Sequence, residues 1–324
     1  MRASFPTQVD MNSRYSLTSI RRWTAILAAG AVVAGLGACG SSEPETTPTP
    51  VPAPVEPAAA ATDSEVVAVL ATSDIAVGEN RIVFGLIEPG TGGIRDAEVT
   101  VQTFHITDQS VDGPKHTAQA IFNLWPSGIR GVYVVNLNFD APGQWGLGIM
   151  MREEGGEEAL VSATIAVQPE SLSPAIGSPA PASVSKVANN TDGLPEVTTD
   201  VRADPDLYAI TIKDALANPN PLLVTFASPA YCQTATCGPQ VDVVKDLKNQ
   251  HGDRMDFIHV EVFDNPTEIQ GDLTRAVISP TMDEWGLVTE PWTFVMDGEG
   301  AVRAKFEGFV TQAELEAAIA EVVP

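Results

Sequence analysis

The chain has 324 residues, 44% of them apolar, enough for two packed domains. Its 42 acidic and 18 basic side chains leave a net charge of −24, which argues against nucleic acid, since phosphate binding needs dense Lys and Arg. Such a surface suits solubility outside the cell.

Residues 1–38 read as a targeting leader, with Arg21 and Arg22 ahead of the apolar run Trp23 to Leu36. That run is too short for a comfortable transmembrane helix. Leu36-Gly37-Ala38-Cys39 then resembles a bacterial lipobox, with small residues around the cysteine and Gly40 and Ser41 after it. The resemblance implies cleavage before Cys39 and acylation of that residue. The protein would then be lipid-anchored in the cell membrane, on its extracytoplasmic face. Residues 39–63 follow as a tether. Six prolines between Pro44 and Pro57 favour an extended polyproline II spacer.

Residues 64–168 alternate apolar and polar positions, as in Val99-Val101-Thr103, Tyr133 to Phe139 and Trp145 to Met151. Turn signals recur at Pro89-Gly90, Gly92-Gly93 and Pro126-Ser127-Gly128. Several short strands at this spacing predict an all-β domain, an immunoglobulin-like sandwich. His105 and His116, its two histidines, make a poor metal set without cysteine. Residues 169–199, rich in Ser, Pro, Ala and Gly, read as a second linker.

Residues 200–324 change element type along their length. The pattern predicts a short helix at 210–217, a strand at 221–226, a helix at 240–250 and a strand at 257–262. A β-hairpin follows, from Trp292 to Phe306 around Asp297-Gly298-Glu299-Gly300. Thr311 and Glu314 form a capping box for a last helix to about Val322.

Cys232 and Cys237 lie between the first of these strands and the next helix. Gly238 is the expected cap and Pro239 the expected first helical residue. A thiolate at a helix N-terminus is stabilised and is the species that attacks a disulfide. On that ground Cys237 is the expected nucleophile and Cys232 its resolving partner.

Residues 200–324 resemble a thioredoxin-like domain. Cys237-Gly238-Pro239 repeats the start of the CGPC motif, and Glu290-Pro291-Trp292 sets a proline directly before a strand. The resemblance implies an α/β thioredoxin-like C-terminal domain in a multidomain chain. It also implies a cis Pro291 beside the dithiol and a Glu290 whose backbone meets substrate. Tyr231 and Trp292 join the expected substrate-binding set. No cofactor or metal is implied. Gln240 stands where the motif has its second cysteine, which leaves the order of attack open.

The expected activity is thiol–disulfide exchange with exported client proteins or a membrane electron donor. Two alternatives remain: a non-catalytic binding lipoprotein with a structural disulfide, and a copper chaperone resembling Sco proteins, whose CxxxC spacing and later histidine are absent here. A peroxidase reading, raised by the CxxxxC spacing, is weaker: Pro229 stands where a threonine is needed before Cys232, and although Thr234 precedes Cys237 by three, the upstream proline is out of register. Glu261, Asp264 and Asp283 read as solvated carboxylates, and His259 as a packed or edge residue.

Overall fold

The computed structural model describes residues 66–126, 128–188 and 191–323, all within one compact unit. The leader, Cys39 and the tether lie outside the described residues. So does Ser127.

The N-terminal part holds eight strands: β1 (Val67–Leu70), β2 (Gly78–Glu88), β3 (Gly92–Gly93), β4 (Glu98–Ile106), β5 (Val111–Leu124), β6 (Gly131–Phe139), β7 (Gly143–Arg152) and β8 (Glu158–Val167). They form one sheet in the order β1-β2-β6-β5-β4-β7-β8, with β3 on β2. Strand β5 makes the bend. Its Val111 to Ala120 portion pairs with β4, and Ile121 to Leu124 pairs with β6. The end of β8 then meets the segment leading into β2: Val77 N–H donates to the Gln168 carbonyl at 3.0 Å, and Gln168 N–H to that of Ile75 at 2.8 Å.

The sheet is therefore a nearly closed barrel. This corrects the expected immunoglobulin-like sandwich of two separate sheets. The alternation was legible, and it points Val99, Val101, Tyr133, Leu137, Phe139, Trp145, Leu147 and Ile149 into one core. Alternation fixes which side chains face inward, but not whether the sheet closes. The histidines have different partners: His105 packs on the Trp145 ring at 4.9 Å, and His116 Nδ1 accepts from Asn138 N–H at 3.0 Å.

The C-terminal part holds β9 (Leu222–Ala227), β10 (Asp256–Glu261), β11 (Trp292–Met296) and β12 (Val302–Glu307), in the order β10-β9-β11-β12. Strand β10 runs parallel to β9, and β11 runs antiparallel to both β9 and β12. All six residues of β9 are buried. Leu223 and Ala227 face one core and Leu222, Val224 and Phe226 the other, as expected of a central strand covered on both sides.

Five α-helices accompany this sheet: α1 (Ile212–Leu216), α2 (Cys237–His251), α3 (Pro266–Ile269), α4 (Pro280–Glu284) and α5 (Gln312–Val322). Three of them have only four or five residues. The described chain, with twelve strands, is mostly β. This overturns the expected α/β thioredoxin-like class for the C-terminal part. Prolines open α3 and α4, and the chain turns left-handed at Gln270 and at Gly286 soon after each, so the long connection from β10 to β11 never builds an extended helix. Among the described residues no helix is long and apolar enough to cross a membrane.

Candidate dithiol site

Cys232 and Cys237 are joined by a disulfide, with their Cα atoms 5.9 Å apart. The loop carrying them leaves the buried strand β9 and tightens at once. Tyr231 and Cys232 N–H groups donate to the Ser228 carbonyl at 3.1 and 3.0 Å, and Ala235 N–H donates to that of Cys232 at 3.2 Å. Ala235 adopts a left-handed conformation at φ +58, uncommon for a residue with a Cβ. The helix starts two residues before the expected Pro239: Thr236 is the cap and Cys237 the first helical residue. Thr236 makes no side-chain capping bond, so Cys237 sits at an N-terminus whose partial positive charge is not quenched by a cap.

The two sulfurs differ in access. Cys237 is 0% exposed and packs in the core below α2, whereas Cys232 is half-buried. The accessible sulfur is therefore not the one expected to attack. Thr234 Oγ1 lies 3.2 Å from Cys232 Sγ at the outer edge of the loop.

Glu290 comes from the bend immediately before β11, the strand beside β9, and its peptide bond to Pro291 is cis. Its side chain is the unexpected element. Ser228 N–H donates to Glu290 Oε2 at 2.7 Å and Ser228 Oγ donates to Oε1 at 2.7 Å. Glu290 Oε2 then lies 3.4 Å from Cys237 Sγ. Burial raises the Glu290 carboxyl above the usual range, against the pull of the Ser228 bonds. Pro291 and Trp292 are buried. Trp292 stacks on Phe294 and donates Nε1–H to Thr289 Oγ1 at 3.0 Å, so it packs in the core. Tyr231 is half-buried, edge-on to Phe263, and its hydroxyl accepts from Gly271 N–H at 3.3 Å.

A polar layer lies behind the loop. His259 Nε2–H donates to the Ala227 carbonyl at 3.0 Å, and Nδ1 accepts from the Tyr208 hydroxyl at 2.6 Å. Burial holds the His259 ring neutral, with its pKa lowered to about 4. Glu261 is buried, which corrects the expectation of a solvated carboxylate. Its Oε2 accepts from the Thr199 N–H and hydroxyl, each at 2.7 Å, and Ala230 N–H of the cysteine loop donates to Thr199 Oγ1 at 3.2 Å. Burial pushes Glu261 up to about 7, with the Glu290 charge adding to the shift. Asp283 is exposed and Asp264 partly so. Ser228, Thr199, His259 and Glu261 thus brace the loop, and none was in the sequence-derived site. An acidic residue inside the apolar run Phe257 to Val262 was the available signal.

No protein-family profile and no curated protein matches the sequence. Solved structures that resemble parts of it include MTB DsbF in mixed oxidised and reduced forms, at 18% identity, covering 35% of this chain and 87% of that one, with a TM-score of 0.28. A DsbF homologue from Corynebacterium diphtheriae is 20% identical, covers 45% of this chain and 88% of its own, and has a TM-score of 0.30. The PKD domain of the human VPS10 domain-containing receptor SorCS2 is 13% identical, covers 41% and 98%, and has a TM-score of 0.19. None of the three spans half of this chain.

Proposed function

We propose that this protein exchanges thiols and disulfides with exported proteins or a membrane electron donor, through Cys232 and Cys237, while anchored by acylated Cys39 at the extracytoplasmic face of the cell membrane. One observation carries the activity: a disulfide at a helix N-terminus, with one sulfur accessible and the other 3.4 Å from a partly buried carboxyl. The sequence around Cys39 supports the anchoring.

A client thiolate attacks Cys232 Sγ, the accessible sulfur. The Cys232–Cys237 bond breaks, and a mixed disulfide forms between client and Cys232. Cys237 leaves as a thiolate at the N-terminus of α2, and the Glu290 carboxyl, whose proton affinity burial raises, is placed to exchange a proton with it. A second client thiolate then attacks its own sulfur in the mixed disulfide and expels Cys232. The client has gained a disulfide and the protein a dithiol. Reversed, the same steps reduce a client disulfide. Burial of Cys237 exchanges the two expected roles: Cys232 meets the client, and Cys237 resolves.

Trapping separates these roles. Cys237→Ala should accumulate mixed disulfides at Cys232 in cells, and Cys232→Ala should not. The reverse pattern would restore Cys237 as the attacking sulfur. Packing of both cysteines against the core below α2 favours a second reading, an inert structural bridge. A reduction potential below about −300 mV would mark that bridge and remove the exchange activity.

A further inference from the structure

Reduction of the bridge by a dithiol supplies two electrons and two protons and leaves two thiols beside a carboxyl. Cys232 Sγ, Cys237 Sγ and a Glu290 carboxylate oxygen all lie within 4.8 Å of one another, the one such grouping of three His, Cys, Asp or Glu among the described residues. We propose that the reduced site binds a zinc ion through both thiolates and the Glu290 carboxylate, with a fourth position open beside the half-buried Cys232. The inference rests on the same reducible cysteine pair as the exchange activity.

The donor set selects the ion. Two thiolates do not suit calcium or magnesium, which take oxygen, and a carboxylate beside them suits zinc, which takes sulfur and oxygen together. Zinc bonds of about 2.3 Å to sulfur and about 2.0–2.2 Å to oxygen place tetrahedral ligand atoms roughly 3.3–3.8 Å apart. Glu290 Oε2 and Cys237 Sγ already stand 3.4 Å apart. The carboxylate is also oriented from behind, by the N–H and hydroxyl of Ser228, as metal-binding carboxylates usually are.

Charge gives a second reason. Two thiolates and a carboxylate would place three negative charges in a site where Cys237 is fully buried. A divalent cation reduces that to one. Binding releases both thiol protons, so it should tighten as pH rises. Cu(I), a softer ion, can be held by the two thiolates alone. Dependence on Glu290 therefore distinguishes zinc from copper.

The test uses the full chain carrying Cys39→Ala, so that only two thiols titrate. After reduction with dithiothreitol and anaerobic desalting, thiols are counted and Zn²⁺ is titrated against a chromophoric chelator. We expect one zinc per reduced protein and none per oxidised protein. Glu290→Gln should weaken zinc about tenfold or more and leave Cu(I) binding unchanged. Should that variant not fold, Co²⁺ added to the protein with Glu290 intact decides. Tetrahedral cobalt bands with a thiolate charge-transfer band support the site, and an octahedral spectrum without that band overturns it. Two free thiols without zinc uptake, or equal zinc affinity in Glu290→Gln, overturns this inference and leaves the exchange activity standing. Thiols that cannot be freed in the folded protein overturn both.

Discussion

His259 and Glu261 lie two positions apart on β10 and pull stability in opposite directions with pH. Burial lowers His259 to about 4 from 6.5, with Asp200 and Lys245 acting on it more weakly and with opposite sign. As pH falls below 6.5 the unfolded chain takes up this proton and the folded protein does not until about 4, so acid removes stability across that window. Glu261 is the reverse case. Its carboxyl, raised to about 7 from 4.5, keeps its proton in the folded protein while the unfolded chain has lost it. Its contribution is fully present below 4.5 and is lost as pH rises through 7. Between pH 4.5 and 6.5 the two slopes offset one another. Glu261→Gln removes one of them. Relative to the unaltered protein, this variant should lose roughly 2–3 kcal/mol between pH 6.5 and 4.5. Denaturant midpoints across that range measure it, and an unchanged pH profile in the variant contradicts the assignment.

At the scale of elements, the long connection between β10 and β11 carries strong backbone constraints. Gly286, just after α4, takes φ +64, and a Cβ there would run into the Leu172 carbonyl. Gly271 takes φ +83 with nothing within 4 Å of such a Cβ. Gly271→Ala should therefore cost about 1 kcal/mol, for the left-handed conformation alone. Gly286→Ala should cost at least about 2 kcal/mol, because the Leu172 backbone must also move. Equal melting temperatures for the two variants would show that the approach of Leu172 is unimportant. Thr311→Ala should cost about 1 kcal/mol, since it removes the hydroxyl that accepts from Glu314 N–H at 3.2 Å in the capping box of α5. That box was legible because both halves lie within four residues. Trp292 to Met296 was likewise legible as a strand from its apolar run, and matches β11. The cysteine pair stood out by spacing. The support behind it did not: Glu290 was expected only for its backbone, and its side chain comes together with Ser228, Thr199 and Glu261, from separate stretches, only after folding. The bend of β5 that closes the barrel also lacked a local signal, since its pairing changes partner partway along an unbroken strand.

At the scale of the whole molecule, a polar seam joins the barrel to the second sheet and reaches the dithiol loop. On the barrel side, Asp74 accepts from the hydroxyls of Ser171 and Ser173, and Lys305 Nζ donates to Ser173 Oγ at 2.9 Å. Burial works against the Asp74 charge, but these hydroxyls, the Leu172 N–H and Lys305 together hold its carboxyl below the usual range. Arg81 pairs with Glu314 at 2.9 Å and donates to the carbonyls of Glu307 and Phe309, both at 3.2 Å. Glu307 is the centre of the seam and is 6% exposed. It accepts from Ser73 N–H at 2.8 Å, Ser73 Oγ at 2.6 Å, Asp74 N–H at 3.2 Å and Thr289 Oγ1 at 2.6 Å. Thr289 directly precedes Glu290, so one carboxylate ties the barrel to the strand entry that places Glu290 against Cys237. Glu307→Ala leaves buried donors from both parts unpaired, which should cost roughly 3–5 kcal/mol. The loss falls at the seam and spares the barrel core and the two cores on either face of the second sheet. Thermal unfolding of the unaltered protein should be one transition, and Glu307→Ala should split it into two, followed together by calorimetry and tryptophan fluorescence. A variant that still melts in one transition at the original temperature would show that the cores, not the seam, hold the two parts together.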